Sequence, residues 1–129
     1  MINKKIKIVN YLINPININD LIKMVELKKK NFSQLIYLSN VHSCIESFKN
    51  KKFKKAHNSC DFALPDGRPI YWVLKILGSK NAEHLPGYYV TEKLFELANK
   101  KKLNIGFYGS TNDNLNKIKI KLKNKFKKI

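Results

Sequence analysis

The run NSCDFALPDGRPIYW, Asn58 to Trp72, constrains what this chain can fold into more than any other stretch. Its apolar start, Phe62-Ala63-Leu64, has the length of a buried strand in a parallel sheet. Pro65-Asp66-Gly67 ends that strand, because proline cannot donate to a ladder and Asp-Gly favours a turn. Ile70, Val73, Leu74 and Leu77 then recur at helical spacing. A carboxylate, Asp66, is thereby placed at the carboxyl end of a strand and the mouth of a helix. Open α/β sheets bind ligands at that edge.

The flanking sequence supplies elements of the same kind. Lys5–Ile13 is rich in β-branched residues and reads as a strand turned by Asn14-Pro15, with Ile16–Ile18 a second short one. Asn19 or Asp20 is placed to cap a helix carrying Leu21, Ile22, Val25 and Lys29. After a loop at 31–33, Gln34–Ser39 reads as a buried strand, and Asn40-Val41-His42-Ser43 falls at its carboxyl end. Cys44, Ile45 and Phe48 mark a helix, and Lys49–His57 a basic helical piece. The helix from Pro69 stops at Gly78. Ser79–Leu85 is a polar loop and Pro86-Gly87 a turn. Val90, Leu94, Leu97 and Ala98 line a helix whose closing lysines, 100–102, suit the negative end of its dipole. Leu103–Tyr108 reads as a third apolar strand, and Leu115, Ile118 and Leu122 as the face of a last, lysine-rich helix. That helix reads as a solvated outer one, in preference to a membrane-surface helix or, from the alternation of Ile118, Ile120 and Leu122, a strand. The alternation predicts an α/β fold, three-layer and Rossmann-like with a largely parallel sheet, in a single domain over 1–129.

Composition narrows the class of partner. The chain has 129 residues, enough for one core, and a formal net charge of +17. Such a charge favours nucleic acid, anionic lipid or a diphosphate-bearing substrate. Lys, Asn and Ile are over-used throughout, loops included, as an A- and T-rich coding sequence would give. Whatever its origin, the charge favours an anionic membrane surface. A nucleic-acid-binding module is the distant alternative: RNP-like aromatics, zinc spacing and a recognition helix are all missing, so nucleic acid is not an expected partner. Cys44 and Cys60 are far apart in apolar contexts, which fits neither a disulfide framework nor a metal site. No run approaches the roughly 18 apolar residues of a membrane span, and the start does not read as a signal peptide. A cytoplasmic protein, peripheral at the inner face of the membrane, is the expectation.

Two polar clusters fall on one predicted edge, Ser39 to Ser43 and Pro65 to Pro69. Around them occur NVHS at Asn40–Ser43, FKKAHNSCD at Phe53–Asp61 and LPDGRPIYW at Leu64–Trp72. K-x-L-G at Lys75–Gly78, Pro86-Gly87 and GFYGS at Gly106–Ser110 follow in order. With these motifs in this order, the chain resembles the WecG/TagA/CpsF family of bacterial glycosyltransferases (glycosyltransferase family 26), from about Ile8 onward.

The resemblance implies inverting transfer of N-acetylmannosamine, or a related hexosamine or uronic acid, from a UDP-sugar. The implied acceptor is a polyprenyl-diphosphate-linked N-acetylglucosamine, and no cofactor or tightly bound metal is implied. Asp66 matches the family's general base, which takes the acceptor hydroxyl proton. Asn40 matches the motif asparagine beside it. Ser39, His42, Arg68 and His84 are the further substrate-binding candidates, Arg68 from its charge alone. Plainer roles stand beside these: a turn residue for Asp66, a helix cap for Asn40, packing or capping for His42, a solvated cation for Arg68.

The chain departs from the family at Leu38, where a threonine is usual, and at His84, where an arginine is usual. The family's second half, with a G-x-P-K-Q-E motif and a membrane-associating C-terminal segment, has no counterpart after Lys119. The chain therefore reads as the N-terminal part of such an enzyme. It is expected to act with a completing chain or as a homo-oligomer, and the alternative is a non-catalytic remnant.

Overall fold

The computed structural model describes residues 4–27 and 33–128. The fold is mixed α/β and about half helical, with one antiparallel and one parallel strand pair. The described chain divides into two compact units, with the boundary after Val90.

The first unit starts with a hairpin, β1 (Ile6–Ile8) and β2 (Tyr11–Ile13), in register Ile6 to Ile13 and Ile8 to Tyr11. The expected single strand over Lys5–Ile13 is thus two strands. Val9 takes φ +57° at the first turn residue, a conformation costly for a β-branched side chain, and no glycine flags the turn. The second expected strand, Ile16–Ile18, is not formed. Asn17, rather than Asn19 or Asp20, caps α1 (Ile18–Glu26) by accepting the Asp20 N–H at 2.9 Å. Leu21 faces inward as expected, and Lys29 and the loop residues 31 and 32 lie outside the described residues.

β3 (Ile36–Ser39) and β4 (Phe62–Pro65) pair in parallel, from Ile36 opposite Phe62 to Ser39 opposite Pro65. A right-sized crossover joins them: α2 (Val41–Lys49), then α3 (Lys51–Asn58), with Asn50 closing one and capping the other. All four β4 residues are buried, as befits a strand covered on both faces. α4 (Arg68–Ile76) follows, and Gly78 beyond it takes φ +82°.

Asn14 joins the hairpin to the parallel pair. Its N–H donates to the Ala63 carbonyl at 2.8 Å, and its side-chain oxygen accepts the Ala63 N–H at 2.7 Å. It is fully buried, and it satisfies the edge of β4 that β3 does not use. The core beside this junction holds Ile8, Tyr11, Ile13, Cys60, Ala63, Ile70, Leu74 and Ala82.

α5 (Gly87–Lys101) begins in the first unit and continues into the second. In the second unit, Phe95 meets the rings of Phe107 and Phe126 at 6.0 Å each, and Glu92 pairs with Lys125. The expected third strand, Leu103–Tyr108, is absent: the segment is irregular and mostly exposed. A strand needs a ladder partner for its backbone, and this segment joins no ladder among the described residues. The lysine-rich end forms α6 (Asn112–Lys125), capped by Thr111, with none of its residues buried.

Replacing Asn14 by alanine leaves the Ala63 N–H buried without its acceptor. We expect a loss of about 1–3 kcal/mol in a urea unfolding experiment, with the helical signal of the folded state unchanged.

Candidate active site

Strand register sets this site. Ser39 and Pro65, paired at the ends of β3 and β4, deliver Asn40 and Asp66 to the same edge. The Ser39 carbonyl accepts the N–H of Asp66 at 3.0 Å and of Gly67 at 3.3 Å, which ties one loop to the other. A Cβ on Gly67 would lie 3.4 Å from Asn40 Cα, so a side chain there would fill the notch between the loops.

Asp66 is half-buried, and its groups are used on two sides. Its Oδ1 accepts the Gly87 N–H at 2.9 Å, at the start of α5, and its carbonyl meets His84 Nε2 at 2.6 Å. The His84 ring nitrogen is therefore the donor. Oδ2 has no hydrogen-bond partner among the described residues. Gly87 is held close: a Cβ there would lie 2.8 Å from the tip of Leu38.

Asn40 caps α2. Its Oδ1 accepts the Ser43 N–H at 3.0 Å and the Ser43 hydroxyl at 2.9 Å. His42, in the first turn of α2, and Arg68, first residue of α4, are both exposed without a hydrogen bond among the described residues. Thus Asp66, Asn40 and His84 gather in one region, and Arg68 stands at the helix mouth that follows Asp66.

Ser39 faces the other way. Its side chain is fully buried and bonds His57 Nε2 at 2.9 Å, so it is not presented at the edge as a substrate-binding group would be. Asn58 Oδ1 accepts the Leu12 N–H at 3.1 Å and lies 3.2 Å from His57 Nδ1. An acceptor there requires the proton on Nδ1, which leaves Nε2 to accept the Ser39 hydroxyl. The imidazole stacks on Tyr11 at 3.7 Å, meets Tyr37 edge-on at 4.7 Å and has Phe53 at 6.5 Å.

Burial holds the His57 pKa below its ordinary value, with the Lys5 ammonium adding to the effect. Burial also pushes the Tyr11 hydroxyl up to about 12, and the Ser39 and Ser43 hydroxyls face it without closing a hydrogen bond. Burial pushes both cysteine thiols up, so neither is a ready thiolate.

Sequence reasoning did not single out Gly87 or His57. Pro86-Gly87 was visible as a turn, but nothing local announced that its N–H reaches Asp66. His57 carried no signal in a lysine-rich segment. Among the described residues, no three His, Cys, Asp or Glu side chains converge as metal ligands. No helix among them is long and apolar enough to cross a membrane.

A carboxylate fixed at the carboxyl edge of a parallel strand pair, beside an asparagine and at the mouth of a helix, places the chain in the α/β class, whose open sheets bind ligands at that edge. Comparison with known sequences narrows this class. The chain belongs to the WecG/TagA/CpsF family of glycosyl transferases, matching it over residues 6–129. It is similar to an N-acetylglucosaminyldiphosphoundecaprenol N-acetyl-beta-D-mannosaminyltransferase of Bacillus spizizenii. They are 30% identical over 81 residues, 63% of this chain and 32% of the relative. A Bacillus subtilis protein of the same name is 26% identical over 90 residues, 70% of this chain and 35% of its own length. The matched stretch thus spans about a third of these curated relatives. No solved structure matches the chain.

His57 is neutral in the folded state, whereas in the unfolded chain it titrates near 6.5. As pH falls below that value, the unfolded state takes up the proton first, so stability declines. We expect urea midpoints to drop between pH 7 and 5, and the His57→Gln variant, less stable at pH 7, to show a smaller drop.

Proposed function

We propose that the chain supplies the base-bearing part of an inverting glycosyltransferase. The donor in this reading is UDP-N-acetylmannosamine or a related UDP-hexosamine or UDP-uronic acid. The acceptor is N-acetylglucosamine on a polyprenyl diphosphate, at the cytoplasmic membrane face, in the synthesis of a cell-surface polysaccharide or teichoic acid. The single observation that carries the reading is the Asp66 carboxylate, held by Gly87 through Oδ1 with Oδ2 left for another proton. Membership of the family and the names of the two Bacillus relatives support it.

In the reaction, the acceptor hydroxyl oxygen bonds to the anomeric carbon as the bond from that carbon to the UDP oxygen breaks. Asp66 Oδ2 takes the hydroxyl proton, and the electron pair leaves on the diphosphate. One carboxylate suffices, because a diphosphate needs no proton to depart. Asn40 offers an amide N–H to a sugar hydroxyl while its oxygen keeps the cap on α2. Arg68, at the N-terminal end of α4, is the cation for the leaving diphosphate, aided by the positive end of that helix. His84 holds the Asp66 loop through its carbonyl. A Rossmann-like, largely parallel sheet, with 1–129 lying in one domain, is the setting this reading assigns to the site.

The test is sugar transfer from UDP-N-acetylmannosamine to a lipid-linked N-acetylglucosamine. The chain is assayed alone and joined to the part of the Bacillus spizizenii relative that it does not match. Asp66→Asn is expected to lower the rate about 10²–10⁴-fold with UDP binding retained. Transfer at the full rate by that variant, or none by either form of the wild type, would overturn the reading.

A further inference from the structure

α2 packs with its apolar face outward. Its buried residues are Ser43 and Ser47, whereas Val41, Ile45 and Phe48 are 41%, 49% and 54% exposed. Those three positions are spaced i, i+4, i+7 and form one stripe. Both serine hydroxyls are satisfied within the helix, Ser43 by Asn40 Oδ1 at 2.9 Å and Ser47 by the Cys44 carbonyl at 2.6 Å. An ordinary surface helix turns its apolar stripe to the core. A contiguous apolar stripe in the opposite direction marks a contact surface.

The charges around the stripe select what it contacts. Residues 41–58 carry five lysines and one glutamate; Lys49, Lys51 and Lys52 are exposed at the α2–α3 corner, and Lys55 is exposed further along α3. With a net charge of +17, a second copy of the chain is repelled, whereas an anionic lipid leaflet is complementary. We propose that α2 docks on an anionic membrane. Val41, Ile45 and Phe48 enter the headgroup–acyl boundary, and the corner lysines meet the lipid phosphates. Nine residues make α2 about 13 Å long, and it starts at Asn40, beside Gly67. Docking therefore keeps the Asp66 edge near the leaflet, where a lipid-borne acceptor resides. That use rests on the transferase reading; the docking rests on the surface alone.

The test is co-sedimentation of the whole chain with vesicles, either phosphatidylcholine with phosphatidylglycerol or phosphatidylcholine alone. It is run on the wild type and on Ile45→Ser/Phe48→Ser, which keeps every charge. Both replaced residues are exposed, so the variant is expected to keep its circular dichroism and urea midpoint. The wild type should bind the anionic vesicles, and the double variant at least about tenfold more weakly. Phe48→Leu, still apolar, should retain binding. Equal binding by wild type and double variant would reduce the effect to polycation attraction and overturn the proposal. So would a wild-type dimer that the double substitution turns into a monomer with vesicle binding unchanged, since the stripe would then be a protein interface. No UDP-sugar or acceptor enters this experiment, so its failure and that of the transferase reading are read separately.

Discussion

The carbonyl of Ser39 accepts the N–H groups of both Asp66 and Gly67, at 3.0 and 3.3 Å, and the candidate site hangs from that one oxygen. Strand pairing alone would bring two loops to the same edge and leave each free to turn. The shared acceptor fixes the second loop on the end of the first strand, so Asn40 and Asp66 hold a defined spacing. Ser39 is itself held from below, because its side chain is spent on His57 inside a cage of Tyr11, Tyr37 and Phe53. A residue at the candidate edge thus serves it with its backbone and serves the core with its side chain.

Asp66 has a similar double use. The first N–H groups of a helix have no partner in the helix, and the Gly87 N–H is one of them. Asp66 Oδ1 satisfies it from 21 positions earlier in the chain. A carboxylate is a favourable neighbour for the positive end of α5. The same contact orients the group and keeps one oxygen outward. Holding Gly87 and taking the proton proposed for Asp66 are therefore compatible, since each draws on a different oxygen.

The elements legible in the sequence were those whose signal is local. Pro65-Asp66-Gly67 ended β4 and opened α4 as the turn chemistry dictates, and Asn40 was readable both as an edge residue and as a cap. Where the outcome depended on distant partners, the sequence was silent. Leu103–Tyr108 has strand composition, yet it joins no ladder among the described residues and stays irregular. Val9 bends a β-branched run without any glycine to announce it. Asn14 looked like a turn residue, yet its amide completes the edge of β4. Gly87 reaches Asp66, and Asn58 sets the tautomer of His57, through contacts that no window of the sequence contains.

The orientation of α2 follows from the same crowding. Tyr11 is completely buried, and the His57 and Tyr37 rings pack around it, so little volume remains for the helix above. Small residues at 43, 44 and 47 meet that demand, Cys44 packing against the core from a partly buried position, and close packing leaves no room for a bulky side chain. It does not explain the opposite face. Outward positions are under no such constraint, and in a chain this rich in lysine and asparagine a polar stripe would have been the ordinary outcome. Val41, Ile45 and Phe48 are instead exposed along one line beside exposed lysines. Keeping apolar area in water is unfavourable by about 25 cal/mol per Å² relative to burying it. The stripe therefore calls for a surface that covers it, and the charge around it fixes the sign of that surface.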